Sequence, residues 1–555
     1  MLLFWFRSLE SRASLPRLAR KAKYFSLCRT YSTSQSDAWL DTVVGQPRDL
    51  FKYTSGRWLW DEEERLEKRY RVFNIRELQN AAAEAASSGP CIKLEKMHED
   101  LNDKTFKLTM ADGRKLIARI PYRNVGPPSL ATASKVATLE FLRNVLRLPV
   151  PQVLAWNTAV DYTNPVGAEY VIMDLPPGDN LADVWSKTSF ENKKQTVKDV
   201  VEIQRKLLSV KFLGYGCLFF TKDAPAGSRP ATITGASLSS EFKQRVAKRF
   251  SIGPMVTRDY WNDERAKLEI DRGPWIHASK YIEAPARREI AWIRNYGRYL
   301  APGHPSFFWR RQYSRNDHIH LLENYLSVAP FLLPKDESFL ASHLWHRDFH
   351  FSNMFVDNKG HITNIIDWPN TYARPLYFEN NFAPYFIIPT DEPGYNLPSA
   401  EQIKNIGITR GSDPLARRTN AMLLHTFDKL TKERNSLLAR MMVHANRDTR
   451  RLPVCYARDL WDRDILDIWL ALLSLQEKWK EMFRGTRCPI PTYRNGVRKA
   501  DRARAPAERF WEEATGVLTK DGWTSHDNYV GALYLQEKLR TVSQGEGWFN
   551  WLFQR

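Results

Sequence analysis

Cysteine is scarce: five in 555 residues (Cys28, Cys91, Cys217, Cys455 and Cys488), far apart and without a C-x-x-C pair. That spacing excludes a secreted disulfide framework and a zinc knuckle, and it fits a reducing compartment. Long apolar runs are missing too. The nearest, Asn324 to Pro334 and Asn381 to Thr390, fall well short of the ~18 residues a bilayer-crossing helix needs, so no transmembrane segment is expected. Acid is under-represented, with 63 Asp and Glu against 82 Lys and Arg, for a net charge of +19. Such an excess suits anionic partners but specifies no nucleic acid. Glycine is absent between Gly89 and Gly113, in the middle of the most strand-like part of the chain. What remains is an ordinary globular composition, long enough for three or four folding units at roughly 100 to 200 residues each.

Part of the charge is local. Residues 1–31 hold seven cations (Arg7, Arg12, Arg17, Arg20, Lys21, Lys23, Arg29) against Glu10, so +6 belongs there and +13 to the rest. Arg-rich, Ser-containing, acid-poor sequence with Leu2, Phe4, Leu9, Leu15 and Leu18 for one helix face reads as a mitochondrial transit peptide over 1–35. Arg29-Thr30-Tyr31-Ser32 resembles a matrix-protease site cut after Tyr31, which places the mature protein in the mitochondrial matrix.

Residues 36–90 form an N-terminal extension around Tyr53-Thr54-Ser55-Gly56-Arg57-Trp58, with helical character from Asp61 to Arg71 and Ala81 to Ala86, stopped at Ser87-Ser88-Gly89-Pro90. From 91 to 178 the texture turns strand-like: Phe106 to Thr109, Lys115 to Ile120, Gln152 to Ala155 and Glu169 to Met173, with Asp112-Gly113 as a hairpin turn and one helix at Ala133 to Leu146. From 179 to 545 helices dominate, including Thr196 to Leu208, Arg287 to Leu300 and Leu460 to Lys478. A small sheet-rich lobe followed by a larger helical lobe is α+β. The basic stretches Arg450-Arg451 and Arg494 to Arg504 read as solvated surface rather than an RNA or lipid site.

The chemically informative stretch is His346-Arg347-Asp348-Phe349-His350-Phe351-Ser352-Asn353, with Asp367-Trp368 fourteen residues on. Between them, Met354 to Val356 and His361 to Ile366 flank Asn358-Lys359-Gly360 as a hairpin, which brings Asp348, Asn353 and Asp367 together. Phosphoryl transfer needs such a set: one carboxylate at the acceptor hydroxyl, and an amide and a carboxylate whose oxygens suit Mg²⁺. A rival reading makes His343, His346 and His350 a zinc cluster. The segment reads as loop rather than helix, so a structural His346 bonded to nearby backbone is preferred.

His346 to Asn353 with Asp367-Trp368 resembles the aminoglycoside phosphotransferase-like branch of the protein-kinase-like fold. The wider chain looks like the fungal altered inheritance of mitochondria protein nine family, through Ile117-Ala118-Arg119-Ile120-Pro121, Gly126-Pro127-Pro128, Arg272-Gly273-Pro274-Trp275 and Asp521-Gly522-Trp523 among others. The resemblance implies a bilobal fold with a small antiparallel-sheet N-lobe. It implies ATP and Mg²⁺ as cofactors and a small-molecule hydroxyl as acceptor. It makes Asp348 the catalytic base, Asn353 and Asp367 the metal ligands, and Arg119 the phosphate anchor. Met173 and Asp174 fall in the segment linking the lobes, where backbone meets adenine.

Two features depart from the family pattern. The turn Glu99-Asp100-Leu101-Asn102-Asp103-Lys104 has acids where glycine is usual, so Lys104 or a metal must compensate for them at a polyphosphate. Lys135 stands where an acid should orient Arg119, giving either a like-charge pair or a second phosphate contact. These departures leave a catalytically degenerate pseudokinase, working as a mitochondrial binding or scaffold protein, as the alternative.

Overall fold

The small lobe is built on strands whose side chains are mostly buried on both faces of the sheet. In the computed structural model, which describes residues 48–100, 102–235, 238–299, 304, 313–368, 370–379, 382–388, 397–404, 414–492 and 505–545, the chain begins with a two-residue strand β1 (Arg57–Trp58) and helices α1 (Glu62–Arg69) and α2 (Ile75–Ala86). The leader and the 494–504 stretch lie outside the described residues. Strands β2 (Cys91–Lys96), β3 (Asp103–Met110) and β4 (Lys115–Pro121) follow, with Gly113 at φ +85° in the expected hairpin. After helix α3 (Leu130–Glu140) come β5 (Val153–Asn157) and β6 (Tyr170–Asp174). The five strands make one antiparallel sheet in the order β2-β3-β4-β6-β5. The edge strand β2, with Ile92 and Lys93 exposed, alternates apolar and polar residues over Ile92-Lys93-Leu94-Glu95 but is not among the predicted strands.

A two-residue strand β7 (Asp179–Asn180) leads into the helical lobe, whose main helices are α4 (Phe190–Leu208), α5 (Ala278–Tyr296) and α6 (Arg315–Leu332). The hairpin β8 (Met354–Val356) and β9 (Ile362–Ile365) then forms as expected, with β8 also pairing β7. Helices α7 (Pro414–Arg434), α8 (Arg447–Tyr456) and α9 (Ile465–Met482) complete the lobe, and β10 (Trp523–Thr524) lies near the C-terminus. The architecture is the expected α+β, a small antiparallel lobe joined to a helical one.

Element boundaries shift where capping decides them. Ser189 accepts from the Asn192 N–H, so α4 starts at Phe190 rather than Thr196. Asp464 caps α9 at the Leu466 N–H, and Leu460–Asp462 forms a separate 3₁₀ turn. Helix α5 runs from Ala278 rather than Arg287 and ends at Tyr296; the expected end, Leu300, is outside the described residues. Past Glu140, α3 widens into a π turn over Phe141–Val145. The basic pair on α8 is no solvated surface: Arg450 donates to the Phe331 carbonyl at 2.6 Å, and Arg451 is buried with Asp448 at 3.0 Å. Among the described residues no helix is long and apolar enough to cross a membrane.

One apolar cluster runs from the sheet through α3 to the helical lobe, including Ile117, Val136, Leu139, Met173, Leu181 and Val200. Packing of α4 on α7 and of α5 on α6 extends it. The extension covers the opposite face of the sheet, with Phe51, Phe73 and Phe106 stacked edge to face at centroid spacings of 5.3 Å. β1 pairs with β10, Arg57 opposite Thr524, so the N-terminal and C-terminal segments close on each other.

Candidate active site

The register of β3 against β4 decides which side chains reach the cleft. Thr105 lies opposite Arg119, and Lys104 lies opposite Ile120. By the two-residue period, Asp103, Thr105, Ile117 and Arg119 share the cleft face, while Lys104 and Phe106 point to the extension. Lys104 is accordingly fully buried, with its Nζ 2.6 Å from Glu99 Oε1 and 2.5 Å from the Lys52 carbonyl. Burial drives its pKa down to about 8 despite Glu99. The expectation that Lys104 serves a phosphate is therefore corrected: it is a structural ion on the far side of the sheet. Glu99 leaves the cleft with it, held also by Thr54, Lys96 and Tyr122.

On the cleft face Arg119 is 3.3 Å from Asp367 Oδ1, 3.4 Å from Asp103 Oδ2 and 3.6 Å from Asp100 Oδ2. Asp103, almost wholly buried, also binds the Lys135 ammonium from α3. The like-charge pair expected from Arg119 and Lys135 does not arise, because Asp103 lies between the two cations. Burial opposes Asp103 ionisation, but Lys135 and Arg119 overcome it and hold its carboxyl below the ordinary value. Asp100 goes the other way: burial, then Asp103, raises it. Its Oδ1 meanwhile accepts from the Asn102 and Asp103 amides at 2.6 and 2.7 Å, which shapes the turn in place of glycine.

The loop before β8 is stapled by a neutral histidine. His346 Nδ1 accepts from the Asp348 amide at 3.1 Å, so the proton is on Nε2, which donates to the Ile366 carbonyl at 3.0 Å. Burial lowers its pKa and keeps it neutral. His343 is likewise buried and bonded to the Val210 carbonyl at 2.8 Å. Both ring nitrogens of His346 are thus taken by backbone groups, the arrangement expected of a structural histidine.

Asn353 ties the three site residues together. Its Nδ2 donates to the Asp348 carbonyl at 3.2 Å, and its carbonyl accepts from the Ile366 amide at 2.9 Å, next to Asp367. Asp367 has a left-handed backbone, φ +60°, which turns the chain sharply after β9. Asp348 is half-exposed, and its Oδ2 is 3.2 Å from His350 Nε2. His350 Nδ1 accepts from the Ser352 amide at 3.2 Å, so Nε2 carries the hydrogen donated to Asp348. That bond lowers the Asp348 carboxyl and raises the imidazole.

With the Asn353 amide nitrogen facing the Asp348 carbonyl, its Oδ1 accepts from none of the described groups, and the backbone bond from Ile366 to Asn353 brings Asp367 to the same end of the hairpin. An amide oxygen beside a carboxylate is the hard donor type that Mg²⁺ takes, so these residues fit that ion.

A cavity of about 340 Å³ is lined by Asp367 and by Ser352 and Ile366, neighbours of Asn353 and Asp367 in sequence. Ile117, Leu139, Met173, Leu175, Phe355 and Ile366 give it apolar walls, and Asp100, Arg119, Lys135 and Asp367 its charges. Met173 and Asp174 both line it, as the segment linking the lobes. The Asp174 carboxylate pairs with Arg114 at 2.8 Å and its amide donates to the Gln152 carbonyl, so its side chain serves the sheet. Asp103 is the cleft residue that sequence reasoning alone does not single out; counting two residues back from Thr105, the partner of Arg119, finds it.

Known proteins resemble this chain along most of its length. The subtelomeric hrmA-associated cluster protein of Aspergillus fumigatus is 27% identical over 528 residues, covering 84% of this chain and 97% of that protein. The altered inheritance of mitochondria protein 9, mitochondrial, of Yarrowia lipolytica is 26% identical over 522 residues, covering 86% and 85%. Among solved structures, a putative aminoglycoside phosphotransferase from Ralstonia eutropha is 11% identical with a TM-score of 0.37, covering 74% of this chain and 96% of that one. A putative fructosamine-3-kinase from Thermobifida fusca is 12% identical with a TM-score of 0.32, covering 68% and 98%. The APH family model matches residues 93–380, more than half of the chain, and with it the whole of the cleft described above. The chain belongs to the phosphotransferase enzyme family.

Proposed function

We propose that the protein is a mitochondrial phosphotransferase, acting in the matrix, that moves the γ-phosphoryl group of ATP to the hydroxyl of a small molecule. The observation that supports this is the hydrogen-bonded link of Asn353 to Asp348 and to Ile366, with the adjacent Asp367 lining a cavity that also holds Arg119. Relatives named as mitochondrial proteins and the leader-like composition of residues 1–35 support the location.

The apolar walls suit a purine, and the Met173 and Asp174 backbone lies where its edge would be met. Arg119 and Lys135, fixed by Asp103, present two cations to the phosphates. Mg²⁺ bound by Asn353 and Asp367 would neutralise charge on the phosphate oxygens. Asp348, ionised and held by His350, accepts the acceptor hydroxyl's proton. The new O–P bond forms as the bond from the γ-phosphorus to the β–γ bridging oxygen breaks, and ADP leaves. Fixed position and fixed charge supply the catalysis.

A second reading, a binding protein of the same fold, is favoured by one feature: Asp100, Asp103 and Asp367 already surround Arg119. Thermal unfolding with Mg·ATP separates the two. The phosphotransferase reading expects a nucleotide-dependent rise in Tm that Asp367→Ala abolishes; no rise at millimolar nucleotide sinks it.

A further inference from the structure

Next to Asp348 in sequence, the loop before β8 carries a second concentration of positive charge. Arg347 is exposed, and its Nε donates to Glu379 Oε2 at 3.1 Å. Its Nη1 and Nη2 donate to none of the described residues. Glu379 is itself buried and shared: Arg374, fully buried, reaches its Oε1 at 3.2 Å. Arg458 acts on the same carboxylate, which Arg374, Arg347 and Arg458 together hold down at about 2 against the effect of burial. Arg458 Nη2 donates to the Tyr281 hydroxyl at 3.4 Å, and its Nε and Nη1 have no partner among the described residues.

One carboxylate cannot neutralise three guanidiniums. Both terminal nitrogens of Arg374 are engaged, since the other one donates to the Asn370 carbonyl at 2.8 Å. Arg347 and Arg458 are different: among the described residues each is anchored through a single nitrogen, and the two repel one another. Nearby acids are already committed, Asp259 to Arg288 at 2.7 Å and Asp348 to His350. An anchored guanidinium with open terminal N–H groups is a planar fork suited to carboxylate or phosphate oxygens.

We propose that Arg347 and Arg458 form a docking point for an oxyanion group, a carboxylate or a phosphate, on the acceptor, placing a hydroxyl of the same molecule at Asp348. This rests on the phosphotransferase reading for the hydroxyl, but anion binding itself does not. An amine-rich acceptor is disfavoured at this position, because it would face these guanidiniums.

The test follows thermal unfolding of the full chain titrated with inorganic phosphate and, separately, with malonate, in wild type, Asp367→Ala, Arg347→Gln and Arg458→Gln. Expected is a saturable rise in Tm with at least one anion, the two arms telling phosphate from carboxylate. The response should survive Asp367→Ala and weaken about tenfold or more in each arginine variant, the loss of one charge-assisted contact. Should Arg347→Gln fail to fold, Arg347→Lys keeps the charge without the fork and must still weaken the response. The proposal is overturned if neither anion gives a saturable rise. It is equally overturned if the response persists undiminished in both arginine variants, which would put the anion elsewhere, the cation pair at Arg119 included. Absence of a Mg·ATP response alongside an intact phosphate response would remove the phosphotransferase reading and leave the anion site standing.

Discussion

Asp103 on β3 binds Lys135 on α3, and the same carboxylate is 3.4 Å from Arg119 on the neighbouring strand. The sign order expected for the family, cation on the strand and acid on the helix, is thus rearranged: the acid has moved to the sheet and the helix supplies a second cation. The pairing is kept while the cleft gains one positive charge directed at its floor.

Neutralising Asp103 should be costly. Asp103→Asn leaves Arg119 and Lys135 facing each other with little solvent between them, and removing one partner of a buried charge cluster costs about 3 to 5 kcal/mol. Denaturant unfolding should show that loss, and Lys135→Met added to it should recover part. If the double variant is no more stable than Asp103→Asn, the two cations are not held apart by this carboxylate.

Asp100 is the carboxylate the cleft can lose. Asn at this position keeps an oxygen to accept from the Asn102 and Asp103 amides, so the turn stays formed, while one negative charge leaves the neighbourhood of Arg119. Asp100→Asn should tighten Mg·ATP binding by about five- to tenfold at low salt, and less as salt screens the charge. Isothermal titration reads this directly; unchanged or weaker binding would mean that Asp100 does not face the phosphates.

Glu379 sets an acid limit on stability. Its folded pKa of about 2 lies below the ordinary carboxylate value, so the stabilisation it gives is complete above about pH 4.5 and is lost as pH falls towards 2. Burial among three arginines makes this of the order of 3 kcal/mol. Unfolding free energies of wild type and Glu379→Gln should converge as pH is lowered from 6 to 3; a constant gap would refute the assignment.

Much of this was open to inspection in the sequence, and the exceptions have physical causes. Asp112-Gly113 and Asn358-Lys359-Gly360 fix two hairpins because positive φ at the glycine leaves few alternatives. The fivefold spacing of Asp348 and Asn353 survives folding because the loop bonds to itself. What the sequence hides is facing. Nothing local tells which acid of the Glu99 to Lys104 turn points inward; that depends on the register Thr105 with Arg119, a pairing between strands. The same register sends Lys104 out of the cleft. The cations near Glu379 were invisible for a similar reason, since Arg347, Arg374 and Arg458 lie on three separate segments.

Lys104 gives the complementary test of facing. Lys104→Met leaves Glu99 buried with Lys96, Thr54 and Tyr122 as remaining partners, at a cost of about 3 kcal/mol. Nucleotide affinity of the folded variant should stay within about twofold of wild type, whereas Arg119→Met should lose it. A large loss of affinity in Lys104→Met would place its ammonium in the cleft after all.

The ribbon that joins Arg57 to Thr524 sets a timetable. A chain delivered from its N-terminus presents Arg57 and Trp58 long before Trp523 and Thr524 are available, so the brace that steadies the Glu99 to Lys104 turn from outside can close only once those two residues have arrived. Truncation by even a few dozen residues at the far end would then be felt first at the near end, as a loosened extension over an otherwise folded sheet.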